Sequence, residues 1–74
     1  MGSARGGGNF LSKIRQLREE KGLTQQGLAG AVGVSQATVS DWETGKIKPE
    51  LTKAVRLADL FHTTLDVIYG RSQN

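Results

Sequence analysis

The chain has 74 residues, with ten Lys+Arg against seven Asp+Glu, a formal net charge of +3 and no cysteine. At this length folding hides only about 60% of the surface that the unfolded chain exposes, so two independent cores are excluded; the lack of cysteine excludes a disulfide framework or a cysteine-ligated zinc. The single His leaves no cluster for a metal site and no Ser-His-Asp arrangement with a choice of bases, which sets enzymes and cofactor sites aside.

Residues 1–9 carry Gly2, Gly6, Gly7 and Gly8 with Ser3 and almost nothing apolar, a flexible leader or a remnant of cloning outside the fold. From Asn9 the pattern is helical, with Phe10, Ile14 and Leu17 recurring at i, i+4, i+7 and charged residues between them. Asn9 suits the N-cap, and Gly22 suits the left-handed residue just past the end. Thr24 caps a second helix whose buried stripe is Leu28, Ala29 and Val32 and which stops at Gly33. Ser35 caps a third, which turns Val39 and Trp42 inward and ends at Gly45. Pro49 signals a fourth start, with Leu51, Ala54, Val55, Ala58 and Phe61 at helical spacing. Thr64 caps a short fifth helix whose apolar face is Leu65, Ile68 and Tyr69, with Gly70 after it and residues 71–74 as a short tail. No segment alternates with period two for long enough to make a strand. The expectation is an all-α domain over residues 10–70, a compact bundle of five short helices.

The informative stretch is Thr24 to Pro49. Two helices are joined there by the turn Gly33-Val34-Ser35. With Gly33 left-handed the chain reverses sharply, so the helices cross steeply in helix-turn-helix geometry. Val39 and Trp42 hold the third helix against the second and leave its opposite face outward. Gly27, Gly30 and Gly33 also spell a G-x-x-G-x-x-G spacing, but no strand precedes it and no Lys-Ser/Thr follows, so it is no phosphate loop. Gly27-Leu28-Ala29-Gly30 mimics the KH-domain loop, yet it lacks basic residues and flanking strands. The positive balance favours a polyanionic partner such as nucleic acid. No apolar run approaches the roughly 18–20 residues that span a bilayer, and no signal-peptide pattern opens the chain, so a cytoplasmic setting is expected.

Leu23-Thr24-Gln25, Leu28-Ala29, Val32-Gly33-Val34-Ser35, Val39-Ser40-Asp41-Trp42-Glu43, Gly45-Lys46 and Pro49, continued by Leu57-Ala58 and Thr64-Leu65-Asp66, resemble the phage-repressor (Cro/C1, Xre-type) helix-turn-helix domain. The resemblance covers nearly everything except the leader. It implies a lambda-repressor-like fold in which helices 2 and 3 form the helix-turn-helix and the third, residues 36–43, lies in the major groove of double-stranded DNA. Its outward residues Gln36, Ala37, Ser40 and Asp41 become the candidate base contacts. Gln36 suits adenine N6 and N7, Ala37 a thymine methyl, and Asp41 either cytosine N4 or a repulsive filter. Candidate backbone contacts are Thr24, Gln25 and Thr38 with Thr44, Lys46 and Lys48 beyond the recognition helix; such contacts set register and salt-sensitive affinity without reading sequence. By the same resemblance Arg18 and Glu43 form a structural ion pair.

The family further implies a repressor-like transcriptional regulator at the bacterial or phage nucleoid. It would bind as a homodimer, its recognition helices about 34 Å apart on a pseudo-palindromic operator. Val67 and Tyr69 are the candidate dimer surface. A protein-interaction module on the same fold, antitoxin-like or an anti-repressor partner, is the alternative, since fold does not fix function. An acidic recognition face would favour it, but Asp41 and Glu43 are the only acids between Thr24 and Lys48. A third option is an amino-terminal domain of a longer repressor. The chain departs from the family pattern at Gly27 and Gly30, where charged or polar residues are usual. Gly27 stands at the third helical position, where Glu would close a capping box, and each interior glycine costs about 1 kcal/mol against alanine. The second helix is therefore intrinsically weak and must be held by packing. His62 stands where the family often has Gly or Asn and reads as a surface cap.

Overall fold

The computed structural model describes residues 13–70, which form α1 (Lys13–Glu20), α2 (Gln25–Val32), α3 (Gln36–Thr44), α4 (Leu51–Phe61) and α5 (Leu65–Ile68). The leader, the Asn9 cap, Phe10 and the 71–74 tail lie outside the described residues. The described residues contain helices and no strand. No helix among them is long and apolar enough to cross a membrane.

Four connections reverse the chain by one device. Leu23 N–H returns to the Arg18 carbonyl at 3.0 Å, Val34 to Ala29 at 2.9 Å, Lys46 to Asp41 at 2.9 Å and Thr63 to Ala58 at 2.9 Å. Each closure spans six residues and needs a left-handed residue one position earlier. Gly22, Gly33 and Gly45 supply it at φ 78, 79 and 81°, and His62 supplies it at φ 55°. A Cβ in that region costs about 1–2 kcal/mol, so His62 carries a strain that the three glycines do not. At the helix starts, Thr24 Oγ1 accepts from Gly27 N–H at 2.9 Å, Ser35 Oγ from Thr38 N–H at 3.1 Å and Thr64 Oγ1 from Val67 N–H at 3.2 Å. Each bond satisfies one of the donors that a helix start leaves unpaired. α4 starts differently. Pro49 lies just outside it, and Glu50 is an N-cap without a side-chain bond.

The core gathers one stripe from each helix. Ile14 of α1, Leu28, Ala29 and Val32 of α2, Val39 and Trp42 of α3, Ala54, Leu57 and Ala58 of α4 and Ile68 of α5 are buried together. Leu17, Leu23, Val34, Leu60, Phe61, Leu65 and Tyr69 pack around them. Burying each of the larger aliphatic side chains contributes about 1.5–3 kcal/mol, which offsets the propensity lost at Gly27 and Gly30 in α2. The periodicity of α4 needs correcting. Leu51 and Val55 keep helical spacing with the core residues, yet they are 60% and 41% exposed. The inward stripe is Ala54, Leu57, Ala58 and Phe61, at i, i+3, i+4 and i+7, and Leu51 and Val55 fall on its flank.

Candidate nucleic-acid interface

α2 and α3 pack on each other more extensively than any other pair of helices. The buried Leu28, Val32, Val39 and Trp42 form that contact's apolar side. Facing away from it, Gln36 and Ala37 open α3 exposed, while Ser40 and Asp41, one turn on, are half-buried. The spacing i, i+1, i+4, i+5 places the four on one side of the helix.

A chain of polar contacts ties this face to the rest of the domain. Glu43, at the other end of α3, is buried, only 3% exposed. Arg18 Nε of α1 donates to Glu43 Oε2 at 2.6 Å and Arg18 Nη2 to Glu43 Oε1 at 3.2 Å, a bidentate pair. Arg18 Nη1 donates to the Leu23 carbonyl at 2.8 Å. The hydrogen bond to Glu43 holds the Arg18 pKa above its ordinary value, although burial pulls the other way. The stability this group contributes is therefore present throughout the neutral range and is lost only as pH rises through that raised value. On the far side of the carboxylate, Gln25 Nε2 of α2 donates to Glu43 Oε1 at 3.1 Å. Gln36 Nε2 then donates to Gln25 Oε1 at 3.4 Å, a long contact.

This chain has a direction. An ionised carboxylate only accepts, so Glu43 makes Gln25 turn its amide nitrogen inward and its oxygen toward Gln36. Gln36 must then meet Gln25 with its own nitrogen. Its Oε1 and second amide hydrogen remain for an outside partner.

The other expected contact residues surround this face with different amounts of free bonding capacity. Thr24 Oγ1 accepts from Gly27 N–H, which leaves its hydroxyl hydrogen available. The N–H groups of Gln25 and Gln26 precede that capped donor, in the first turn of α2, where helices carry unpaired amides. Thr44 Oγ1 donates to the Asp41 carbonyl at 3.3 Å, which engages its hydroxyl hydrogen within α3, whereas Thr38 Oγ1 and Ser35 Oγ share a hydrogen bond at 3.0 Å in which either hydroxyl can donate. Lys46 and Lys48 are exposed in the connection after α3. Val67 and Tyr69 belong to the end of α5, the last described helix. Both are half-buried, and Tyr69 Oη donates to the Pro49 carbonyl at 2.9 Å, pinning the end of α5 to the start of α4. Among the described residues no group of three or more His, Cys, Asp or Glu side chains converges as a metal site would require.

Two features escape a reading of residue types alone. Gln25, expected only as a backbone contact, is also the hub between Glu43 and Gln36. The one local trace is that Gln36 and Glu43 stand seven residues apart, two turns on one helix face. The exposed apolar side chains Ile47, Leu51 and Val55, in the α3–α4 connection and on α4, are the other.

Comparison with known proteins identifies the helix-turn-helix fold. The profile of the family described as Helix-turn-helix matches residues 14–68. The HTH-type transcriptional regulator AnsR of Bacillus subtilis (strain 168) is 35% identical over 63 residues, covering 85% of this chain and 54% of AnsR. The cryptic phage CTXphi transcriptional repressor RstR of Vibrio cholerae is 38% identical over 64 residues, covering 86% of this chain and 58% of RstR. The crystal structure of a transcriptional regulator from Listeria innocua superposes with a TM-score of 0.76 at 32% identity, over 88% of this chain and 61% of that one. The chain thus spans little more than half the length of these proteins.

Proposed function

The chain belongs to the helix-turn-helix family, and from that premise we propose that it binds double-stranded DNA sequence-specifically as a repressor-like transcriptional regulator, with α3 in the major groove and two copies on a pseudo-palindromic operator. The observation that carries the reading is the directed chain from Arg18 through Glu43 and Gln25 to Gln36. It leaves Gln36 with one acceptor and one donor facing outward, the pair that adenine N6 and N7 complement. A glutamine held this way loses less freedom on binding than a solvated one, so the contact favours discrimination as well as affinity. Ala37 beside it offers a methyl-sized apolar contact, and Asp41 an acceptor or a repulsive filter one turn further on.

The positioning groups divide by what they still have to give. Thr24 and the first amides of α2 have free hydrogens for phosphate oxygens, and the helix dipole favours an anion there. Lys46 and Lys48 supply charge. Thr44 spends its hydroxyl hydrogen on the Asp41 carbonyl and must rotate to donate elsewhere, so it contributes less than the others; Thr38 can donate outward while its oxygen accepts from Ser35 Oγ. No catalytic step belongs to this reading; the mechanism is occupancy of the operator.

Selection from a randomised duplex pool at physiological salt tests the reading. Enrichment of an inverted repeat with half-sites about one helical turn apart is the expected result. On that duplex Gln36→Ala should lose discrimination at one base pair of each half-site. Lys46→Ala should weaken all sequences alike and flatten the dependence of log affinity on log salt by about one. Equal effects of the two substitutions on specificity would refute this division of labour. No duplex binding even at low salt would refute the DNA reading and return the fold to a protein-interaction role.

A further inference from the structure

Pro49 is buried, and its carbonyl accepts from Tyr69 Oη at 2.9 Å, from a residue 20 positions further along the chain. Among the described residues no backbone N–H reaches that carbonyl, so the hydroxyl supplies the partner that a buried backbone acceptor needs. The bond stands where local chemistry is weakest. α2, α3 and α5 each begin on a Thr or Ser side chain that accepts from the helix, whereas α4 begins on Glu50, which makes no such bond. The hydroxyl is itself firmly based. Tyr69 N–H donates to the Leu65 carbonyl at 2.9 Å and Gly70 N–H to the Val67 carbonyl at 3.0 Å. Ile68 beside it is buried, and the Tyr69 ring packs against the same core.

Lys48 is the residue that this bond governs. A residue before proline is confined to extended backbone, and proline fixes its own φ at about −65°. Between Lys48 and the Pro49 carbonyl the soft angle is therefore the ψ of Pro49. Pinning the carbonyl sets that angle and carries the Lys48 backbone with it. Lys46 is held differently, by its N–H to the Asp41 carbonyl at 2.9 Å. The two lysines of the connection are thus tied to different elements, Lys46 to α3 and Lys48, through Pro49, to α5.

We infer that Tyr69 is a positioning residue for DNA binding: its hydroxyl, through the Pro49 carbonyl, holds Lys48 where it meets a phosphate. The inference rests on the DNA-binding reading above, and it gives α5, which carries none of the contacts assigned to DNA, a part in affinity. A lysine side chain already loses rotamer freedom when it pairs, and a loose backbone beneath it adds to that loss. The effect falls on affinity and not on sequence preference, because a phosphate contact carries no sequence information. One such contact scales affinity with salt concentration to the power of about −0.9, so it is worth roughly fivefold at about 0.15 M salt and little near about 1 M.

The probes are a duplex enriched by selection and an unrelated duplex of the same length, at a temperature where every variant is folded. Tyr69→Phe should weaken both by roughly two- to fivefold at about 0.15 M salt and flatten the dependence of log affinity on log salt. The loss should be absent in a Lys48→Ala background and undiminished in a Lys46→Ala background, since only Lys48 is held through Pro49. Ile14→Val, which removes a buried methyl group of α1, is the control for lost stability alone. It should lower the melting temperature and leave both affinities and the salt slope unchanged. Equal losses in the two lysine backgrounds, an unchanged slope in Tyr69→Phe, a changed ratio between the two duplexes, or the same loss in Ile14→Val would each overturn the inference and leave duplex recognition intact. Failure of the parent chain to prefer the selected duplex would instead refute the DNA reading itself, and this inference with it.

Discussion

Gly30→Ala offers a clean test of how this domain is held together. Gly30 lies inside α2 with a helical backbone, is exposed, and has nothing within 4 Å of where a Cβ would stand. Alanine there removes backbone freedom from the unfolded chain and disturbs no neighbour, which is worth about 0.5–1 kcal/mol. In a domain of this size each kcal/mol moves the melting temperature by about 4–8 °C, so a rise of about 2–8 °C is expected in thermal melts followed by far-UV circular dichroism. Two sister substitutions set the scale. At Gly27 a Cβ would come within 3.3 Å of Thr24 Oγ1, the atom that caps α2, so Gly27→Ala should gain less than Gly30→Ala. At Gly33, with φ 79°, Gly33→Ala meets open space but the wrong backbone, and should lose about 1–2 kcal/mol. The order Gly30→Ala, Gly27→Ala, Gly33→Ala from most to least stable follows from geometry alone. A Gly30→Ala melt at or below the parent's would refute the reasoning, because it would mean that residue 30 is not an open helical position.

Glu43→Ala leaves the Arg18 guanidinium partly buried without its carboxylate, and should cost about 3–5 kcal/mol in urea denaturation; replacing both partners with Met and Leu should recover most of that loss. Tyr69→Phe removes the hydroxyl that donates to the Pro49 carbonyl, and about 1 kcal/mol of stability should go with it in the same assay. His62→Gly relieves a left-handed residue that carries a Cβ, and the melting temperature should rise; a fall would show that the His62 side chain contributes more than its backbone costs.

The helix ends were the most legible part of the sequence. Ser, Thr and Gly act on backbone groups within three or four residues, so Thr24, Gly33, Ser35, Gly45 and Thr64 mark boundaries without reference to anything distant. His62 was readable through the family resemblance, which often has Gly or Asn at that position, and its left-handed backbone accounts for that preference. Inward stripes were legible in α2 and α3, where the large apolar residues are few (Leu28, Val32, Val39 and Trp42) and all of them are buried. In α4 they were not. Leu51, Val55, Ala54, Leu57 and Ala58 spread around much of the helix, and hydropathy does not say which of them face the core. Packing against α2 and α5 decides that, and it favours the small Ala54 and Ala58, which allow close approach, over the larger Leu51.

Short-range chemistry thus determined from the sequence alone that this protein is all-α, where its helices start and stop, and that residues 24–49 reverse as a helix-turn-helix. Each of those outcomes depends on hydrogen bonds and backbone angles inside one turn. Tertiary structure alone decided that Gln25 stands between Glu43 and Gln36, that Tyr69 reaches Pro49, and that Ile47, Leu51 and Val55 remain in solvent. Those relations join residues from separate elements, or depend on how an element is turned. Their energies arise only once the helices have met, and no local pattern of residue types encodes them.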